Sequence, residues 1–276
     1  MEEHIFKAKP GLNIHYRIQT PKGDCQHLLI VMSGFNIPDP TIYDFNMLTH
    51  CRSAILWIKD DFNGLPAYYL CNNMNFDIEQ GVSKLIDATI SVLKPKYHSI
   101  LGASKGGSAS LYYGIKHKIK NIISCVPQFR LGSYVASGYW EHIGRSMMGV
   151  ASPNNIFILD RYLSSIIKQD RMSERHIYLF TSPQDKQFLE EVKPHLPLFE
   201  KYSDFNLIET CSPLVTQHTQ VTSYNLNLIL SLIYQFEEGI APKWGHIRNG
   251  SQWHANMENT YPDNVHEESV QQSLTQ

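Results

Sequence analysis

The sequence has no block of lysines and arginines, no CxxC pair, and no apolar run approaching the ~18 to 20 residues that a membrane-spanning helix needs. Lysine and arginine total 24 against 26 aspartates and glutamates, a formal net charge of -2, so bulk electrostatics give no reason to expect a nucleic-acid partner. The five cysteines (Cys25, Cys51, Cys71, Cys125, Cys211) are odd in number and scattered, which argues against a disulfide framework or a zinc site and favours a reducing compartment. No bound metal is expected. The opening stretch "MEEHIFKAKPGLNIHYRI" carries acidic residues early and lacks the apolar core of a signal peptide. These absences predict a soluble cytoplasmic protein without an integral membrane segment, at most resting against the inner face of the cell membrane.

What is present is a chain of 276 residues, 42% hydrophobic and 18% charged, enough for a sizeable core. Short apolar runs rich in β-branched residues occur at 27–34, 53–59, 99–104, 121–128, 176–182 and 205–210, each bounded by turn formers, as buried parallel strands are. Helical periodicity lies between them. In 78–95, Val82, Leu85, Ile86, Ile90 and Leu93 share a face and Pro95 stops the helix. Residues 108–118 read as a short helix, 186–202 as one broken by Pro194 and Pro197, and 221–239 as the strongest helix, with Gly239 as its C-cap. The alternation predicts an α/β fold: a mostly parallel sheet with helices on both faces. Residues 129–172 interrupt it with an aromatic-rich segment expected to form a helical insertion or lid. The expected domain is 1–245, and the polar stretch 246–276 reads as a flexible tail.

The centre of interest is "SILGASKGGSASLYYG", residues 99–114, where four small residues crowd a strand-to-helix junction. A phosphate-binding P-loop requires lysine directly after its second glycine; here Lys105 precedes Gly106 and Gly107, so that geometry fails. A plain turn that merely permits close helix packing remains open. The third reading takes Gly102-Ala103-Ser104-Lys105-Gly106 as G-x-S-x-G, the nucleophile elbow. A serine in a tight turn, flanked by residues without side chains, presents its hydroxyl above the carboxyl edge of the sheet. The helix that follows points amide donors at a developing oxyanion.

A hydroxyl needs a base, and the base an orienting acid, in the chain order Ser, Asp/Glu, His. Asp185, just beyond the strand 176–182, stands where that acid is expected, although it could simply cap the next helix. Among 13 histidines, His218 lies in a loop after the following strand and is favoured as the base. His176, His195, His246 and His254 are less well placed. The oxyanion hole is expected from the amide of Lys105 together with Phe35 or Asn36, with Gly34 allowing the backbone to approach.

The segment "GASKGGSASLYYGIKHKIKNIISCVPQFRLGSYV" resembles the XcbB/CpsF-type capsular polysaccharide biosynthesis proteins. These carry a G-[SA]-S-K-G-G-[ST] elbow, then L-Y-Y-G, then P-Q and a G-S-Y segment; Gly102 to Gly107, Leu111 to Gly114, Pro127-Gln128 and Leu131 to Tyr134 match. The likeness implies an α/β-hydrolase fold and similarity to capsule polysaccharide O-acetyltransferases. It implies acetyl-CoA as donor, a capsular polysaccharide as acceptor, and Ser104, Asp185 and His218 as the triad. Tyr134, Tyr139 and Trp140 would then offer faces for a sugar, and Lys105 and Arg130 would attract an anionic polymer or the coenzyme phosphates. A carbohydrate esterase or deacetylase with the same triad stays open as an alternative. So does a non-catalytic scaffold in a capsule or secretion assembly, as a homo-oligomer or with other assembly partners.

Overall fold

Alternating short apolar runs and amphipathic segments fold here into one sheet of nine strands clad on both faces. A computed structural model describes residues 2–35, 43–62 and 64–250. The strands are β1 (His4–Lys9), β2 (Leu12–Gln19), β3 (His27–Met32), β4 (Ala54–Ile58), β5 (Tyr97–Ala103), β6 (Asn121–Cys125), β7 (His176–Thr181), β8 (Asp204–Thr210) and β9 (His246–Asn249). Their order is β1-β2-β4-β3-β5-β6-β7-β8-β9. The β1–β2 and β2–β4 pairs are antiparallel and all the others are parallel, so every loop leaving β3 to β8 emerges at one carboxyl edge.

The central strands are buried on both sides because helices cover both. On one face α1 (Asp77–Leu93), α2 (Lys105–Lys116) and α5 (Pro153–Gln169) pack Val82, Ile86, Leu111, Leu159 and Leu163 against Leu28, Ile30, Ile100 and Ile122. On the other, α6 (His218–Tyr224) and α7 (Leu226–Glu237) set Ile229, Leu232, Ile233 and Phe236 against Leu29, Val31, Leu101, Ile123 and Tyr178. Each fully buried aliphatic or aromatic side chain contributes roughly 1.5 to 3 kcal/mol. The insertion expected at 129–172 is helical. It comprises α3 (Leu131–Val135), α4 (Glu141–Met148) and α5, of which α5 joins the main core through Leu159, Leu163 and Ile167.

Three features depart from the sequence reading. The amino-terminal hairpin β1–β2 extends the sheet where no strand was assigned. The helix expected over 221–239 begins at His218 and breaks at Asn225, whose side-chain amide donates to Thr210 Oγ1 (2.9 Å) and to the Val221 carbonyl (2.8 Å). The domain does not end at 245: His246–Asn249 pairs with β8 as the ninth strand, so the polar stretch starts later than expected. Residues 251–276 lie outside the described residues. Among the described residues no helix is long and apolar enough to cross a membrane.

Candidate active site

Ser104 connects β5 to α2 with φ 54° and ψ -123°, a conformation that L-residues rarely adopt and that costs on the order of 1 to 3 kcal/mol. The surrounding glycines make the turn sterically feasible. A Cβ on Gly102 would stand 2.0 Å from the Gly106 carbonyl oxygen, and one on Gly106 would stand 2.2 Å from that of Met32. The start of α2 is thus pressed against the end of β3. The Ser104 amide donates to the Cys125 carbonyl (2.8 Å), and its own carbonyl accepts from Ser108 N (3.1 Å), which launches the helix.

Asp185 follows β7 and is buried. Its Oδ1 accepts from the Gln187 amide (3.0 Å), while its Oδ2 meets His218 Nδ1 at 2.6 Å. The capping function and the histidine contact therefore coexist, one on each carboxylate oxygen. His218 is the first residue of α6, not a loop residue, and a reciprocal capping box of Gln217 and Gln220 fixes that helix start. With Nδ1 committed to Asp185, the other ring nitrogen, Nε2, is buried and has no hydrogen-bond partner among the described residues.

Ser104 and His218 line the same cavity, of about 480 Å³, together with Gly34, Phe35, Asp44 and Val126. They do not bond to each other: Ser104 Oγ accepts instead from Gln128 Nε2 at 3.0 Å. Gln128 is fully buried, and its Nε2 also donates to Gln187 Oε1 at 2.8 Å. Serine, glutamines, aspartate and histidine thus form a chain of contacts open only between Ser104 Oγ and His218 Nε2. Gln128 and Gln187 were not singled out from the sequence; the P-Q pair was the one available signal.

On the opposite wall the loop after β3 is held from beneath. Ser33 N donates to Tyr69 Oη (2.6 Å), Lys105 Nζ donates to the Ser33 carbonyl (2.7 Å), and Gly34 N donates to Asp44 Oδ2 (2.6 Å). Phe35 lines the cavity. Asn36 lies outside the described residues.

Lys105 departs from its expected part as an attractor of anions. Its side chain is buried, pairs with Asp60 Oδ2 at 2.8 Å and lies over the Tyr69 ring at 4.4 Å. Burial pulls its ammonium below the ordinary lysine range, and the Asp60 carboxylate opposes that fall. Arg130 is likewise turned away: its Nη2 reaches Glu191 (3.2 Å) and Glu190 (3.4 Å), and it does not line the cavity. Tyr134 and Trp140 do line it, with Phe35 stacked on Trp140 at 4.5 Å between centroids and 19° between planes. Tyr139 is largely exposed and packs edge-on against Trp140.

No family model matches the chain, and no curated protein matches it. Solved structures do. A variant of the capsule O-acetyltransferase of Neisseria meningitidis serogroup A, in complex with CoA, superposes with a TM-score of 0.63 at 20% identity over 80% of this chain and 91% of that one. The S-formylglutathione hydrolase of Staphylococcus aureus gives 0.60 at 10% identity over 86% and 98%. A glycosylation-associated protein complex of Streptococcus agalactiae gives 0.56 at 19% identity over 91% of this chain but 41% of that one. The fold is that of the α/β-hydrolases. At these identities the likeness establishes the fold alone.

Proposed function

We propose that the chain is a serine-dependent O-acyltransferase that moves an acetyl group from acetyl-CoA to a hydroxyl of a glycan, with a capsular polysaccharide as acceptor. The observation that carries this reading is His218: Nδ1 is held by Asp185 at 2.6 Å, and the unpartnered Nε2 lies on the same cavity as the strained Ser104. The resemblance around the elbow and the structural likeness to a capsule O-acetyltransferase support the substrate class.

In this mechanism His218 Nε2 takes the Ser104 hydroxyl proton as Oγ bonds to the acetyl carbonyl carbon. The oxyanion is received by the amides of Lys105 and Phe35, each such donor being worth ~3 kcal/mol of barrier. The carbon–sulfur bond then breaks, and the His218 imidazolium returns its proton to the leaving thiolate. A sugar hydroxyl next gives its proton to His218 and attacks the acetyl-serine; Ser104 Oγ leaves and is reprotonated. The aromatic wall of Tyr134, Phe35 and Trp140 suits a carbohydrate face or the thioester arm.

With water in place of the sugar, the same residues make an esterase. The likeness to a hydrolase supports that as the second reading. The test is thiol release from acetyl-CoA with and without capsular polysaccharide, for wild type and Ser104→Ala. Release that depends on the acceptor and disappears in the variant is expected. Hydrolysis of simple acetyl esters without any acceptor effect would select the esterase, and equal activity in Ser104→Ala would overturn the role of the serine.

A further inference from the structure

Among the described residues lining the cavity there is no lysine or arginine, and the one carboxylate is Asp44. Lys105, within the elbow, and Arg130, in the loop after β6, are committed elsewhere, Lys105 to Asp60 and Arg130 to Glu190 and Glu191.

Asp44 is also close to the reacting position. A side-chain Cβ placed on Gly34 would stand 3.4 Å from Asp44 Oδ2 and 4.0 Å from Ser104 Cβ, so carboxylate and serine flank one small space. The carboxylate is anchored there by the Gly34 amide at 2.6 Å. Burial outweighs the Gly34 hydrogen bond and the Lys105 ammonium and lifts its carboxyl above the ordinary aspartate range, so the charge is developed at alkaline pH. Once ionised, this carboxylate, in a partly enclosed cavity whose described lining holds no lysine or arginine, disfavours a second negative charge more than the same charge would in open water.

We propose that Asp44 is a specificity-determining residue that keeps anions out of the Ser104 cavity, so that the acyl group and the acylated unit of the acceptor are uncharged or carry an ammonium group. This rests on the reading of Ser104 as the acyl-accepting residue. For an acceptor glycan, the acylated residue is then a neutral or amino sugar, and any carboxylate or phosphodiester of the polymer stays outside. For the donor, the uncharged thioester arm enters while the phosphates remain beyond the mouth.

Paired esters of similar size test this at pH 8: 4-nitrophenyl butyrate, mono-4-nitrophenyl succinate and 4-nitrophenyl 4-(trimethylammonio)butyrate. The wild type is expected to favour the neutral over the anionic ester, and Asp44→Asn, which retains an acceptor for the Gly34 amide, to reduce that kcat/KM ratio about tenfold or more. The same substitution should lower the cationic-to-neutral ratio. Raising salt should narrow the wild-type ratio and leave that of Asp44→Asn nearly unmoved, a readout independent of how well the variant folds. Turnover that requires Ser104 but shows no charge preference, or the same preference in both proteins, overturns the assignment of Asp44. Absence of any Ser104-dependent turnover overturns the reading of the serine itself, and the charge filter with it.

Discussion

The two walls of the cavity are fastened by different chemistry. On the β3 side the loop at Ser33 and Gly34 is held by charged groups: Lys105 reaches the Ser33 carbonyl, Asp60 pairs with Lys105, and Asp44 takes the Gly34 amide. Asp60 also accepts from the Ala67 (3.1 Å) and Tyr69 (2.9 Å) amides, so one buried carboxylate ties that loop to Lys105. On the β7–β8 side the ties next to Asp185 and His218 are neutral: the Gln187 backbone amide on Asp185, the Gln128–Gln187 carboxamide pair and the Gln217–Gln220 capping box. The Glu191 carboxylate acts further away, on the Phe129 and Arg130 amides (2.8 and 2.9 Å). The difference has a physical logic. His218 must gain and lose a proton in the proposed reaction, and an extra fixed charge beside it would bias that equilibrium. The β3 loop takes up no proton in the proposed reaction, so charged contacts can hold Ser33 and Gly34 without disturbing it.

Breaking the charged wall gives the largest expected effect. Lys105→Met leaves Asp60 buried without its cation, which should cost about 3 to 5 kcal/mol of stability. Adding Asp60→Asn keeps an acceptor for the Ala67 and Tyr69 amides and removes the unpaired charge, so the double variant should recover much of that loss. Denaturant midpoints for the two single variants and the double variant close the cycle. If Lys105→Met alone proves neutral, the ion pair does not fasten the loop.

That wall also marks where the sequence ceased to be legible. Strands β3 to β8 could be read because each is a short apolar run between turn formers, and the elbow because only small residues fit where a Gly102 Cβ would meet a carbonyl oxygen at 2.0 Å. Asp185 and His218 could be placed because the chain order of strands fixes which loops share an edge. Side-chain direction had no such signal. Lys105 and Arg130 look alike as cations near an elbow, yet packing drives one beneath the β3 loop and acidic neighbours on 188–192 turn the other aside. Gln128 is a lone polar residue in a loop, and nothing in its spacing points at Ser104. The strand β9 is four residues long and three of them (His246, Arg248, Asn249) are polar, so it is too short and too polar for alternation to show.

The amino end of β3 provides the next test. His27 is buried between Ser53 Oγ (2.8 Å) and Ser99 Oγ (2.9 Å), and burial pulls its pKa from 6.5 down to about 3. The Ser53 hydroxyl already donates to Glu237 (2.8 Å), so it accepts from His27 Nδ1, and burial favours the neutral ring. Between pH 6.5 and about 3 the unfolded chain binds a proton that the folded one refuses. Stability should therefore fall with acidity, by about 1.4 kcal/mol per pH unit from this group. His27→Gln should flatten that slope in a urea series from pH 7 to 5; an unchanged slope would assign the acid sensitivity to other groups.

On the neutral wall the expected effects are smaller. Gln128→Ala removes the donor to Ser104 Oγ and frees Gln187 Oε1, for a stability loss of about 1 to 3 kcal/mol. The serine would also lose the contact that leaves its own proton available to His218. Acylation by 4-nitrophenyl acetate should slow about tenfold, with a smaller change in KM, because the contact orients the nucleophile without touching substrate. A change confined to KM would make Gln128 part of the binding surface instead.

Gln187→Glu puts the neutrality argument to its sharpest test with the least disruption. The Gln187 backbone amide would still donate to Asp185 Oδ1, so the acid stays anchored, while a second carboxylate, besides Asp44, now lines the cavity that His218 also lines. That charge favours the imidazolium, so the pH at which activity rises should move upward by up to about one unit at low salt. Salt should shrink the displacement, since a partly exposed charge is screened. An upward shift that salt reduces would mean that the glutamines beside Asp185 are neutral because His218 must change charge. An unmoved midpoint would mean that they serve only as spacers, and that the contrast between the two walls reflects packing alone.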